Sequence, residues 1–285
     1  MPFPRQIFSK LEAVIKDSHF VYAKKEDGWY HGKDYVNKDA VFPYPLLLGE
    51  LCLFFKKTLV KAKVEVDVVV GPTVGGALMT QWLAAHLSDK HGGKQVVAVF
   101  ADEEDVLQSE HLCLIDGVPD GTAKKLKEKG IEFDTSCSGK GIIKLSDVRG
   151  QVEIITCCDN SELINYQRKI DTKRIIKRGY PKFVQGAEVV IVEDIINRGA
   201  TVAKTKLAVE AAGGRVVGVV CLCNRSGGKV TAETLGVTFL LSLMDVDMMM
   251  HKEEDCPDCL EFGPLSVRQD LGKGKEFLQR IGLGN

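Results

Sequence analysis

The sequence predicts an α/β fold, a parallel sheet flanked by helices, on three observations. Val189 to Val192 is an unbroken β-branched run, as a strand covered on both faces needs. Strand-like runs recur at Val64 to Val70, Val96 to Ala101 and Val216 to Cys223. Good helix formers alternate with them, from Ala77 to Leu87 and from Ala203 to Ala212, the second stopped by Gly213-Gly214. At 285 residues, 45% hydrophobic and 27% charged, the chain can bury a real core and reads as an ordinary soluble globular protein. A net charge of −1 argues against a general nucleic-acid or membrane-surface binder. The N-terminus lacks the apolar core of a signal peptide, and no apolar run reaches about 18 residues, so no spanning helix is expected. Nine cysteines, mostly inside apolar runs (Cys52, Cys113, Cys221, Cys223), read as reduced and cytoplasmic.

In chain order, Gln6 to Lys16 reads as a helix with Ile7, Leu11, Val14 and Ile15 on one face. The polar stretch Ser18 to Tyr22 and the run Asp34 to Pro45 follow, and Pro45 signals the start of a helix over Leu46 to Lys61. The first core strand, Val64 to Val70, leads into Gly71-Pro-Thr-Val-Gly-Gly76 and the helix from Ala77. Glycines after a strand let backbone N–H groups approach a ligand with no Cβ in the way. Neither a dinucleotide Gly-x-Gly-x-x-Gly nor a Walker motif is present. After the strand Val96 to Ala101, residues 106–165 hold strand-like pieces (Leu112 to Ile115, Gly141 to Leu145, Val152 to Thr156) and a charged helix candidate, Thr122 to Lys129. About 60 residues are too many for a bare loop, so a small inserted subdomain is expected.

The organising stretch is Glu188 to Arg215. Glu193 and Asp194 sit where the strand Val189 to Val192 would end, a turn containing Gly199 follows, and Thr201 stands where it could cap the next helix. That order puts unpaired helix N–H groups beside two carboxylates at the carboxyl edge of a sheet. The N–H groups suit a phosphate, and the carboxylates suit vicinal hydroxyls. A ligand with both is a phosphorylated ribose. The next strand ends in Asn224-Arg225-Ser226, where an arginine can grip a carboxylate bidentately or simply stand exposed in a turn. Thr238 to Leu243 is one more strand. The tail holds His251 and Cys256-Pro-Asp-Cys259, half of a zinc site that Cys157-Cys158 or His251 could complete only by folding together.

Glu188 to Thr201 resembles the phosphoribosyl-pyrophosphate loop of the type I phosphoribosyltransferases: four apolar residues, two acids, two apolar residues, then a turn. It departs at Asn197 and Arg198, where that family usually carries small or hydroxyl residues. His19-Phe-Val and Tyr35-Val-Asn-Lys-Asp-Ala40 resemble the N-terminal hood of the orotate branch, and Gly71-Pro-x-x-Gly-Gly76 is similar to the pyrophosphate loop of one of its subgroups. Arg225 stands where that branch grips the carboxylate of orotate, its register set by Gly227-Gly228 and the match on both sides. A Cys-Pro-x-Cys like Cys256–Cys259 also occurs in some relatives. Where relatives carry a lysine after the second core strand, Ala101-Asp-Glu-Glu-Asp105 is acidic.

The resemblance implies a type I phosphoribosyltransferase-like sheet with an N-terminal hood (1–61), a core (62–105 and 166–250), an insertion (106–165) and a C-terminal tail (251–285). It implies transfer of the phosphoribosyl group from phosphoribosyl pyrophosphate to orotate with Mg²⁺, in a homodimer, with no nucleic-acid or membrane partner. Glu193 and Asp194 would hold the ribose hydroxyls, and Asn197, Arg198, Gly199, Ala200 and Thr201 the 5′-phosphate. Gly71, Pro72, Thr73, Gly75 and Gly76 would hold the pyrophosphate, and Arg225 the orotate carboxylate. Lys38 has a ligand role or is a solvated surface lysine. Any of Lys24, Lys25 or Lys33 could be the base-side lysine, and Arg168, Lys169 and Lys173 could be mobile cations or a solvated basic face. Two further readings stand beside this one: a phosphoribosyltransferase for another base, and a non-catalytic phosphoribosyl-pyrophosphate-binding regulator.

Overall fold

The computed structural model describes residues 13–25, 28–88, 93–113, 152–158 and 161–283, with the backbone alone in 23–25, 107–113, 152–158 and 161–170. The chain divides into two compact units, Met1–Asp102 with Arg174–Asn285, and Glu103–Lys173. The first opens with β1 (Val14–Ile15), β2 (Phe20–Lys25), β3 (Gly28–Gly32), β4 (Tyr35–Val36), α1 (Pro45–Lys61), β5 (Val68–Pro72) and α2 (Gly75–Leu87). Strand β6 (Val97–Cys113) carries the chain into the second unit, where β7 (Val152–Cys158) pairs antiparallel with β8 (Ser161–Ile175). The first unit resumes with α3 (Pro181–Val184), β9 (Glu188–Ile196), α4 (Ala200–Ala211), β10 (Arg215–Asn224), α5 (Ala232–Leu235) and β11 (Phe239–Asp245). Its tail is β12 (His251–Lys252), α6 (Pro257–Phe262) and α7 (Gly274–Arg280).

The main sheet of the first unit runs β11-β10-β9-β5-β6 with every pair parallel. The run Val189–Val192 is fully buried because both faces of β9 are covered. Alternation along the strand divides the work. Val190 and Val192 pack in one layer with Leu51 and Phe55 of α1 and with Met79 and Leu83 of α2. Val189 and Ile191 pack in the other with Val184 of α3 and with Val202 and Val209 of α4. Helix α1 earns its place through a stripe at helical spacing (Leu48, Leu51, Cys52, Phe55, Leu59), all buried. Among the described residues no helix is long and apolar enough to cross a membrane.

Several local expectations change. Val14 and Ile15 end no helix: they form β1 and pair antiparallel with Val36 and Tyr35, which suits two adjacent β-branched side chains. Residues 6–12 of that expected helix lie outside the described residues, as do Thr122 to Lys129, Gly141 to Leu145, and residues 114–115. Strand β6 runs well past Ala101, so the acidic Ala101–Asp105 stretch is strand rather than loop. Strand β9 continues to Ile196, which places Glu193 and Asp194 inside it and leaves a short turn before α4. That reversal is made by Gly199, which caps the helix with φ 74°, while Thr201 lies within the helix.

A second, antiparallel sheet of order β12-β3-β2 belongs to the hood and tail. Its own buried cluster is small: Val21, Trp29, Val267, Phe277 and Leu278.

Candidate active site

Strand β9 presents Glu193 and Asp194 at 6% and 5% exposure. Glu193 Oε1 accepts the Asp194 N–H (3.0 Å), and Asp194 Oδ1 accepts the Ile195 N–H (2.6 Å). Asp194 Oδ2 accepts a bond from Lys38 Nζ at 2.6 Å, an ion pair across 156 residues of sequence. Glu193 Oε2 is buried with no hydrogen-bond partner. Burial raises the Glu193 carboxyl well above its ordinary value, and the Asp194 charge beside it adds to the shift. For Lys38 burial works against the charge, but the bond to Asp194 and the surrounding carboxylates prevail and hold its pKa up.

A cavity of 330 Å³ opens at this edge of the sheet. Its lining includes Tyr35, Asn37 and Lys38 from the hood, Pro72 at the end of β5 with Thr73 and Gly75 after it, and Arg174, Glu193, Asp194, Thr201 and Arg225. That volume suits a small molecule. Gly75 is where it is because a Cβ there would stand 1.8 Å from Asp194 Oδ2. Gly71 and Gly76 answer to packing rather than to ligand approach: their Cβ atoms would meet Thr80 Oγ1 at 2.2 Å and the Val192 carbonyl oxygen at 2.6 Å.

Arg225 follows β10 and donates its backbone N–H to Ile196 O (2.8 Å). The turn behind it is braced from both sides, Asn224 Nδ2 donating to Val230 O (3.0 Å) and the Val230 N–H to Ser226 Oγ (3.0 Å). Arg225 lines the cavity instead of standing free in a turn, and its Nε is buried with no acceptor among the described residues. Two residues lining one opening thus each carry a buried polar atom, a carboxyl oxygen and a guanidinium nitrogen, with no partner among the described residues. Such atoms are costly unless something completes them.

No family model matches the chain. The orotate phosphoribosyltransferase of a Thermoanaerobacter species is 25% identical over 264 residues, covering 91% of this chain and 92% of that protein. One from a Sulfurovum species is 30% identical over 152 residues, 50% of this chain and 72% of its own length. The chain belongs to the orotate phosphoribosyltransferase family. Among solved structures, the orotate phosphoribosyltransferase of Aeropyrum pernix aligns with 98% of each chain at 13% identity and a TM-score of 0.45.

In this phosphoribosyltransferase the residues singled out from sequence are distributed unevenly. Lys38, Pro72, Thr73, Gly75, Glu193, Asp194, Thr201 and Arg225 share the cavity. Asn197, Arg198, Gly199 and Ala200 lie in the turn and first helical residue beside it but are not among its lining residues. Lys169 and Lys173 lie on β8 in the second unit; Lys173 is exposed, and the Lys169 side chain falls outside the described residues. The residue of that basic run that does line the cavity is Arg174, which sequence reasoning passed over. Its Nη1 donates to the carbonyl and the hydroxyl of Thr73, both at 3.3 Å. Of the acidic stretch, Asp102 is paired with Arg178 at 3.1 Å. Cys256 and Cys259 are met by His19 and His31 and not by His251, which pairs with His31 only through the β12–β3 register. Cys157 and Cys158 lie on β7 in the second unit.

Proposed function

We propose that this phosphoribosyltransferase transfers the phosphoribosyl group of phosphoribosyl pyrophosphate to orotate, giving orotidine 5′-phosphate and pyrophosphate, a step of pyrimidine biosynthesis. The observation that carries the choice of base is Arg225, a lining residue of the same cavity as the acid pair, whose buried Nε has no acceptor among the described residues. Orotate brings a carboxylate for it; a purine brings none. The names of the relatives point the same way.

In this reading Glu193 and Asp194 accept hydrogen bonds from the ribose hydroxyls. Lys38 Nζ holds the place of one of those donors until substrate arrives, then turns to the ligand. The 5′-phosphate sits at the turn Asn197 to Thr201, where the first N–H groups of α4 are unpaired. Thr73 and Gly75, with Arg174, face the pyrophosphate. Departure of pyrophosphate leaves an oxocarbenium-like ribose, so cations near the leaving group and carboxylates near the sugar are both stabilising. Arg225 aims the orotate nitrogen at the anomeric carbon. The same carboxylates are hard oxygen donors of the kind Mg²⁺ takes, and one Glu193 oxygen has no partner, so these residues fit that ion. When bound, it neutralises charge on the departing diphosphate. A homodimer and a cytoplasmic setting belong to the same proposal.

The test is pyrophosphate release from phosphoribosyl pyrophosphate with Mg²⁺ and, in turn, orotate, adenine or no base. Release that needs orotate supports the reading. Release that needs adenine, or binding of the sugar with no release under any base, overturns it.

A further inference from the structure

We infer that His19, His31, Cys256 and Cys259 form a tetrahedral zinc site that fastens the C-terminal tail to the N-terminal hairpin. The four ligating atoms lie within 4.8 Å of one another. Cys256 Sγ stands 3.3 Å from His19 Nε2, Cys259 Sγ 3.3 Å from His31 Nδ1 and 3.7 Å from His19 Nε2, and the two imidazole nitrogens are 3.1 Å apart. Zinc at about 2.0 Å from nitrogen and about 2.3 Å from sulfur sets tetrahedral edges of roughly 3.3–3.8 Å. The cluster is close to that size before any ion is considered.

Proton positions point the same way. Ser266 Oγ donates its one proton to Gly263 O (2.7 Å), so at the 2.7 Å contact with His19 it must accept from Nδ1–H. His19 Nε2 is then an unprotonated lone pair aimed into the cluster, held by an outer partner of the kind that orients zinc-bound histidines. His31 turns Nδ1 into the cluster, and its outer nitrogen, Nε2, has no partner among the described residues. Without a cation, four electron-rich atoms would be buried facing one another. Loss of the two thiol protons on binding gives two thiolates, which cancel the charge of Zn²⁺. A neutral complex suits a buried position. Two sulfurs and two imidazoles in a tetrahedron favour zinc among the common metals. Both cysteines are free thiols.

The neighbourhood needs such a staple. The sheet β12-β3-β2 has only a small cluster of its own, and a core of that size is rarely self-sufficient. Phe20 on β2 stacks on Tyr35, a lining residue of the cavity, at 5.1 Å. The site therefore braces the wall that carries Tyr35, and it stands whether or not the base is orotate.

The test uses the full chain purified under reducing conditions. Elemental analysis is expected to find about one zinc per chain. Exchange for Co²⁺ is expected to give the intense visible bands of a tetrahedral ion and a thiolate charge-transfer band in the near ultraviolet. Cys259→Ser should lose much of the charge-transfer band. Ser266→Ala, which keeps all four ligands, should bind zinc about 10-fold more weakly. Chelation should lower Tm by at least about 5 °C, restored by Zn²⁺. The proposal is overturned if the wild-type chain holds no zinc after incubation with it, if Co²⁺ gives only a weak octahedral spectrum, or if reduced protein contains a Cys256–Cys259 disulfide.

Discussion

Two clusters of buried polar side chains sit in the first unit, and they are incomplete in different ways. At the sheet edge, Glu193, Asp194, Lys38 and Arg225 are ionisable groups around an opening, and two of their atoms, Glu193 Oε2 and Arg225 Nε, have no partner among the described residues. Where hood and tail meet, His19, His31, Cys256 and Cys259 are neutral in their ordinary forms, and their four ligating atoms contact one another. Unmet charge beside an opening is what a ligand that comes and goes requires. Lone pairs converging on one point are what a resident ion requires. On the two proposals above, each cluster's burial cost is offset by its own completing partner.

That contrast is sharpened first by Arg225→Ala. A bidentate bond between charged groups is worth about 2–3 kcal/mol, so KM for orotate should rise about 100-fold. Affinity for phosphoribosyl pyrophosphate, read by calorimetry, should change less than about 2-fold; equal weakening of both would contradict the assignment. Gly75→Ala comes next. Its methyl would collide with Asp194 Oδ2, the oxygen that Lys38 holds, so kcat/KM should fall by at least about 10-fold. An active Gly75→Ala enzyme would mean that Asp194 can move without harm.

Glu193→Gln tests the electrostatics in ligand-free protein. Because the folded protein raises the Glu193 pKa, the stability linked to its protonated form is present at low pH and lost as pH rises through the folded value. Glutamine does not titrate, and it can still accept the Asp194 N–H. The Tm difference, glutamine minus glutamate, should therefore grow between about pH 5 and pH 9. A difference independent of pH would show that Glu193 is not strained in its charged form. The smallest effect is Gly199→Ala, where a left-handed residue becomes non-glycine; about 1 kcal/mol of stability should be lost by denaturant titration.

Much of the fold and half of the site were legible in the residues. The β-branched run Val189–Val192 announced a strand buried on both faces, because only side chains of that shape satisfy two packing layers at once. The acid pair and Arg225 were legible for a related reason: charge directly at the end of an apolar run has few structural uses. What was hidden depended on distant pairing. Nothing local to Lys38 says that its ammonium meets Asp194, 156 residues away. Arg174 sits in a basic run, Tyr166 to Tyr180, with six Lys and Arg residues, and only the strand's exit beside Thr73 selects it. His19 and His31 have no metal-ligand spacing of their own; the β2–β3 hairpin brings them together, and the tail brings the cysteines. Val14 and Ile15 were misread because apolar spacing over so short a span fits a helix and a strand alike.

The central claim is that Arg225 reads the carboxylate of the incoming base. Orotate and uracil differ by that carboxylate alone, so the decisive measurement is the ratio of their kcat/KM values in the wild type and in Arg225→Ala. The wild type should prefer orotate by about 100-fold or more, and the variant by no more than about 3-fold. A preference that survives the loss of Arg225 would contradict the account.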